Sequence, residues 1–404
     1  MPAHRPAPQL AALALAELLA LTLWFSATAV LPALTEAWRL GPSGAAWLTA
    51  AVQLGFVAGA LASAVLSLPD VLPPRRMFCL CAIAGAAANL ALAWLVESLG
   101  PALVLRFLTG ACLAGVYPPG MKIAAGHVSG RARGLAIGVL VGALTLGSAT
   151  PHLVAGLLGG ATIPYRAVLT VSSALAFVGA LLVTAVVRDG PFAPAAAPFD
   201  PSQIGRVFRD RALWLANCGY FGHMWELYAM WAWLAVYLAA APALPRPEEA
   251  RLAAFAIIGV AGAVGCVAAG WLADRVGRTT VTIGAMAVSG ACCVASAWAH
   301  QAPPAVLLAF GLVWGASVIA DSAQFSASVT ELSDPAYMGT ALTMQTCLGF
   351  ALTMVSIWTL PLLAERIGWR YAFVALAPGP ALGCWAMAAL RRRPEAIRLA
   401  GGRR

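Results

Sequence analysis

Long apolar runs alternate along the chain with short segments that carry most of its Arg, Asp and Glu residues. A helix needs roughly 20 predominantly apolar residues to cross a bilayer. Twelve segments meet that requirement: Leu10–Leu34, Ala45–Leu68, Met77–Val96, Ala102–Ala125, Gly134–Gly160, Ala167–Val187, Ala212–Ala241, Ala253–Ala273, Val281–Ala299, Ala305–Val329, Gly339–Ala364 and Tyr371–Leu390. Hydrocarbon offers no water to backbone N–H and C=O groups, so each segment is predicted to be a helix. The first run offers a small-x-small site at Ala27-Thr28-Ala29. It is longer than the apolar part of a signal peptide and only Arg5 precedes it, so it is expected to stay as a span.

The longest connection, Arg188 to Arg211, holds the Pro/Ala-rich stretch "GPFAPAAAPFDP" and then the basic stretch "SQIGRVFRDR". It divides the chain into a six-helix half over residues 1–187, a linker over 188–211, a second six-helix half over 212–392 and a tail over 393–404. Three landmarks recur across the linker. Asp70 and Asp274 close the second and eighth runs, 204 residues apart; Gly134 and Gly339 open the fifth and eleventh, 205 apart; Arg166 and Arg370 precede the sixth and twelfth, 204 apart. Such constant offsets predict an internal repeat, two pseudo-symmetric halves holding a substrate between them near the midplane.

Composition fixes the class. With 61% hydrophobic and 10% charged residues, the chain exceeds what a water-facing surface accommodates and reads as an all-α polytopic membrane protein. With the N-terminus in the cytoplasm, the connections on that side hold fourteen arginines, against six (Arg39, Arg166, Arg246, Arg251, Arg366 and Arg370) on the other. The positive-inside rule then puts both termini in the cytoplasm. Heavy Ala and Arg use with a single Lys122 points to a bacterial inner (plasma) membrane. The net charge of +9 does not imply nucleic acid, because the arginines lie singly in short connections rather than along one face. All nine cysteines fall within or at the edges of apolar runs and no Cys/His set has zinc-ligand spacing, so no disulfide framework, metal or cofactor is expected.

The connection after the eighth run reads "GWLADRVGR", residues 270–278. It is similar to the cytoplasmic loop motif of the major facilitator superfamily, with Gly270, Asp274, Arg275, Gly277 and Arg278 in register. The resemblance implies the twelve-helix fold of that family and a gate-latch role for these residues. In physical terms Gly270 permits close helix contact, Gly277 eases the turn, and Asp274 suits the positive end of a neighbouring helix. The equivalent stretch of the first half, "LSLPDVLPPRRMF", keeps Asp70 but has Leu66 and Pro73 where the motif has glycines. "RFLTGACLAG", from Arg106, resembles the family's Arg-x-x-x-Gly motif, whose Arg is linked to proton coupling. In the fifth run Pro151 lies four residues after Gly147, only loosely like the Gly-Pro motif of exporters, so transport direction is not read from it.

Charge within a bilayer costs several kcal/mol, which makes each intramembrane ionisable residue a functional candidate. The candidates are Glu17 in the first run, Arg106 in the fourth, His152 in the fifth, His223 and Glu226 in the seventh, and Asp321 in the tenth; the third, sixth, ninth and twelfth have none. In the resembled fold those four are lipid-facing and the others line the cavity. Depth along the helix favours Glu226, close to the middle of its span, and His223 three residues earlier shares its face and is expected to share a proton or substrate with it. Arg106 lies ~6 Å from its span's end, where snorkelling to the interface competes with a buried role. Aromatic residues on the same helices, Tyr117 and Tyr220 among them, offer stacking surfaces. "YPPG" at Tyr117 to Gly120 is expected to break the fourth helix.

Taken together, the expectation is a secondary active transporter working by alternating access and coupled to protons, acting as a monomer in the lipid bilayer on a small-molecule substrate. An intramembrane enzyme using Glu226, His223 and Asp321 as acid/base groups, or a non-transporting ligand sensor, are the alternatives. Three acids against one intramembrane Arg tilt the cavity toward protons or cations, while Arg106 equally suits an anion. No Gly-x-x-x-x-Gly-Lys-Ser/Thr stretch supports ATP-driven transport.

Overall fold

Helices account for every regular element among the residues that the computed structural model describes, namely 6–68, 72–128, 133–159, 164–192, 200–334 and 337–403. Twelve spans follow one another. α1 comprises Pro6–Leu21 and, after a break, Ser26–Ala29 and Leu31–Trp38; α2 is Pro42–Val65, α3 Pro74–Trp94, and α4 comprises Leu99–Leu113 and Tyr117–His127. α5 is Arg133–Leu157, α6 Tyr165–Ala185 and α7 Arg211–Ala239. α8 runs Pro247–Ala254, passes through a π-helical turn at Phe255–Ala261, and continues as Gly262–Val276. α9 is Arg278–Ala299, α10 comprises Pro304–Ala320 and Ser322–Leu332, α11 is Met338–Ile367, and α12 runs from Trp369–Ala372 through a 3₁₀ turn to Pro378–Arg391.

Among the described residues ten of these spans are long and apolar enough to cross a membrane. The two that fall short, α1 and α7, do so for different reasons. α1 is cut at Thr22–Phe25, and α7, although 29 residues long, is interrupted by His223, Glu226 and a run of aromatic residues.

Contacts sort the spans into two groups. α1 packs on α5 and α6, α2 on α4, and α3 on α4 and α6; in the second group α7 packs on α11 and α12, α8 on α10, and α9 on α10 and α12. The groups meet where α2 touches α11 and α5 touches α8. The repeat read from the sequence is visible at element starts: Gly134 and Gly339 are each the second residue of their helix, as are Arg166 and Arg370. Large apolar side chains such as Leu80, Leu181, Val294 and Trp385 are exposed on α3, α6, α9 and α12, the surface that lipid would cover.

Two glycine contacts fix helices at backbone distance. On α2 and α4, Gly55 faces the carbonyl of Phe107 and Gly110 faces that of Val52, with no room for a Cβ. On α7 and α12, Gly222 and Gly379 oppose each other in the same way. Asp210 caps α7 by accepting from Ala212 N at 2.9 Å and Leu213 N at 3.1 Å. The linker is anchored at both ends: Phe192 N donates to Gly126 O, and Asp200 N donates to Thr340 Oγ1 at 2.8 Å.

Candidate functional site

Three breaks in the inner helices organise the candidate residues. The α1 break frees backbone carbonyls in the membrane interior, and Arg106 of α4 occupies it. Its Nη2 donates to Trp24 O at 2.6 Å, Nη1 to Leu23 O at 3.1 Å and Ser26 Oγ at 3.3 Å, and Nε to Leu48 O at 3.5 Å. Arg106 is fully buried, so of the two readings weighed for it snorkelling does not hold: its donors are directed at the backbone of α1 and α2, away from the interface.

The α4 break falls at Ala114–Val116, and Tyr117 opens the second segment ahead of Pro118 and Pro119, as "YPPG" predicts. Against this segment lies Glu17 of α1. Its carboxyl is fully buried, neither oxygen has a hydrogen-bond partner, and a Cβ placed on Gly120 would sit 2.8 Å from Oε2. The surrounding cluster is apolar, with Leu13, Ala16, Phe78 and Val116.

α10 is interrupted at Asp321, which stands 204 residues from Tyr117, so the two breaks are repeat-equivalent. Asp321 and His223 are both buried, with His223 Nδ1 2.9 Å from Asp321 Oδ1 and the rings of Tyr220 and Phe325 against the imidazole. His223 therefore pairs with Asp321 and not with Glu226, contrary to the shared-face reading; a three-residue step advances 300° around a helix, enough to turn the two side chains to different neighbours.

Glu226 is fully engaged elsewhere. Ser289 Oγ donates to Oε2 at 2.9 Å, while Trp314 Nε1 at 2.7 Å and Cys293 Sγ at 3.2 Å donate to Oε1. Ser289 and Cys293 belong to α9, so Glu226 points into the interior of its own half rather than toward the other half. At the repeat-equivalent position to Cys293, Asn89 of α3 makes a comparable cluster, bonding Ser26 Oγ, Leu169 O and Ser173 Oγ. Glu226 thus occupies a polar knot that fastens three helices.

His152 on α5 is buried with both ring nitrogens unpartnered, and it lies apart from Glu226 and Asp321, near Arg251 at the start of α8. Tyr117 stands at the head of the second α4 segment, and the Tyr220 ring packs against Gly349 and Phe325.

The loop motif holds together through Arg278. Its Nε and Nη2 make a bidentate pair with Glu331 at 2.8 and 2.6 Å, and Nη1 donates to Gln324 Oε1 at 2.8 Å. Gly277 has φ +95°, a conformation that needs glycine, so its turn role holds. Gly270 packs its Cα near Gly138 of α5, and the Arg275 guanidinium lies over the Trp271 ring. Asp274 presents its carbonyl to Arg403, and Ala400 N donates to Glu331 Oε2 at 2.9 Å, so the tail turn Pro394–Gly401 docks on the motif. Asp70 lies outside the described residues, as does the residue range 129–132 that precedes α5.

The profile described as the Major Facilitator Superfamily matches residues 13–356, most of the chain. The chain belongs to the major facilitator superfamily. The fold of this superfamily member is similar to the proton:xylose symporter XylE at 15% identity (TM-score 0.74, 95% of this chain and 96% of that one covered). It is similar also to the fucose:proton symporter FucP of E. coli at 15% (TM-score 0.67, 96% and 100% covered) and to a variant of the nucleoside transporter NupG at 13% (TM-score 0.70, 95% and 99% covered). No curated protein matches the sequence significantly. As in the resembled fold, this superfamily member has twelve helices in two six-helix halves. Residues that the sequence reading passed over are Glu331, Gln324, Ser289, Cys293 and the amides Gln53 and Gln345. Four of these are uncharged and Cys293 reads as a small hydrophobe, so a search for intramembrane charge misses them; Glu331 lies just past the predicted end of its span.

Proposed function

We propose that the chain is a secondary transporter that moves a small solute across a bacterial plasma membrane by alternating access, coupled to protons. Residues 1–187 and 212–392 rock as two blocks, residues 188–211 form the cytoplasmic linker, both termini are cytoplasmic, and the protein acts as a monomer. Family membership supports the transport class, and two of the similar structures are described as proton symporters.

One observation carries the coupling assignment: Glu17 is a fully buried carboxyl with no hydrogen-bond partner among the described residues. An unpaired carboxylate in an apolar interior costs many kcal/mol, so this closed arrangement is tolerable only with the proton on. Water reaching Glu17 when the α1–α4 contact opens would let the proton leave, which ties its release to the conformational cycle. The His223–Asp321 pair at the equivalent break of the second half is the second proton-bearing element. An enzymatic reading finds less support, because only His223 and Asp321 of its three acid/base groups come together, while Glu226 is turned to α9.

The test is proton flux in proteoliposomes with an entrapped pH dye, comparing native protein, Glu17→Gln and Glu226→Gln across neutral, cationic and anionic organic solutes. Substrate-driven proton movement lost in Glu17→Gln, with substrate counterflow retained, is the expected result. Proton movement that survives in Glu17→Gln overturns the assignment to Glu17.

A further inference from the structure

A cavity of about 240 Å³ opens on the seam between the halves, where α2 begins and α11 ends. Pro42 and Ala45 of the first half form one wall; Trp233 of α7, Pro361 and Glu365 of α11, and Trp369 of α12 form the other. Thr340, to which the linker is tied, stands at the opposite end of α11, ~38 Å away at ~1.5 Å per residue. The cavity is thus remote from the linker, the loop motif and every candidate residue described above.

Two local devices build its aromatic walls. Pro361 has no N–H to give to the Ile357 carbonyl one turn back, and the Trp233 indole supplies the missing donor, Nε1 to Ile357 O at 3.0 Å. That bond fixes the Trp233 ring by its edge. Gly368, at φ +79°, turns the chain out of α11 in a conformation that suits glycine, and Trp369 follows at once as the first residue of α12. The two indole rings stand 5.7 Å apart, inclined at 34°.

Among the described residues Glu365 is the one charged group in the lining, and it is exposed, with no hydrogen bond or ion pair to another described residue. The nearby arginines do not fill the cavity. Arg370 donates from Nε to Ala297 O at 3.1 Å and lies over the Tyr371 ring, and Arg366 is not part of the lining. An anion would meet the Glu365 charge, and an apolar guest would leave that charge uncompensated. A hard metal ion needs six or more oxygen ligands, where this lining offers one carboxylate. Indole faces beside a carboxylate instead match an alkylated ammonium, whose positive charge the rings attract and whose C–H surface they cover.

We propose that this cavity binds an organic ammonium group between Trp233, Trp369 and Glu365. It is smaller than the ~300–1,000 Å³ sites of drug-sized ligands, in keeping with a single ammonium head on a short chain. Because Pro42 and Ala45 come from the other half, an occupant touches both halves and favours the arrangement in which their ends stand together here. A free amine and the head group of a zwitterionic lipid carry the same ammonium chemistry.

The test uses full-length protein in an uncharged detergent, with binding read by saturation transfer to the probe's methyl protons in proton NMR. The probes are choline, the neutral alcohol in which carbon replaces the ammonium nitrogen of choline, and dihexanoyl phosphatidylcholine against dihexanoyl phosphatidylglycerol. Choline is expected to bind better than its neutral counterpart. Glu365→Gln and Trp369→Leu should each weaken choline about three- to tenfold with an unchanged melting profile, and Trp369→Phe, which keeps an aromatic face, should retain most of the affinity. Phosphatidylcholine binding well above both choline and phosphatidylglycerol assigns the ammonium to a lipid; choline binding as well as phosphatidylcholine assigns it to a free amine. Hydrogen exchange with choline present should slow at residues 42–45 as well as 361–369, and slowing confined to the second half overturns the bridging role. Equal binding of choline and the neutral alcohol overturns the ammonium class. Binding of neither choline nor phosphatidylcholine overturns the site, as does full affinity in Glu365→Gln and Trp369→Leu. None of these readouts requires solute flux, so their failure and the failure of the transport reading are separate results.

Discussion

Replacing Arg106 with Met tests whether this residue is a clamp on α1 rather than a carrier of protons. The native guanidinium makes two short hydrogen bonds, to Trp24 O at 2.6 Å and Leu23 O at 3.1 Å, and two longer ones. Hydrogen bonds from a charged donor contribute about 1.5–3 kcal/mol each, so the two short ones set a gross loss of roughly 3–6 kcal/mol. Leu23 O retains Ser26 Oγ at 2.9 Å, and Met is spared the desolvation penalty of a buried cation, which offsets part of that loss. A net destabilisation of about 2–3 kcal/mol remains. At roughly 2–4 °C per kcal/mol for a unit the size of one half, the midpoint should fall by about 4–12 °C. Arg106→Lys should fall comparably, since a compact ammonium lacks the spread fork whose separate nitrogens reach Trp24 O, Leu23 O and Leu48 O. Thermal unfolding of the purified protein in detergent, followed by tryptophan fluorescence, reads the shift, and counterflow on the same samples reads transport. An unchanged midpoint in Arg106→Met, together with lost proton coupling and intact exchange, refutes the clamp.

Other perturbations probe the remaining contacts. Gly120→Ala places a Cβ 2.8 Å from Glu17 Oε2, so the carboxyl must move; proton-linked flux measured with a pH dye should drop severalfold, and native flux would contradict the close fit. Glu331→Gln weakens the bidentate pair with the buried Arg278 and the seat of Ala400 N, so trypsin should cut the tail at Arg392 or Arg398 faster than in native protein; equal cutting rates count against docking of the tail through Glu331.

The fold was readable because its determinants are local. Apolar run length, arginine placement and constant repeat offsets yield twelve helices in two halves, and Pro118-Pro119 announces the α4 break two residues away. The α1 break has no such mark: Thr22–Phe25 contains neither Pro nor Gly, and the group that fills it, Arg106, arrives from another helix. The α10 break at Asp321 is similarly unmarked. Depth along a helix left the partners of the candidate side chains unread. Glu226 is mid-span, as read, yet its carboxyl turns to Ser289 and Cys293 on α9, and a position along a helix does not tell which neighbour a side chain meets. Glu17 is one candidate among six in the sequence, and its lack of a hydrogen-bond partner, on which the coupling proposal rests, is visible only once the helices are packed.

The backbone contacts at Gly55, Gly110, Gly222 and Gly379 give the molecule an uneven elasticity. Helices locked carbonyl to Cα have little slack, so α2 with α4 and α7 with α12 behave as stiff struts, and deformation collects in the layer of rings that meet between them, Trp24, Phe56, Tyr228 and Phe350, and in the broken turns of α1, α4 and α10. A change of ring size among Trp24, Phe56, Tyr228 and Phe350 then retunes the soft layer without loosening the struts. The compliant part of the structure is also the seam where rings of the two halves meet, so that seam can be remodelled while the frame stays put.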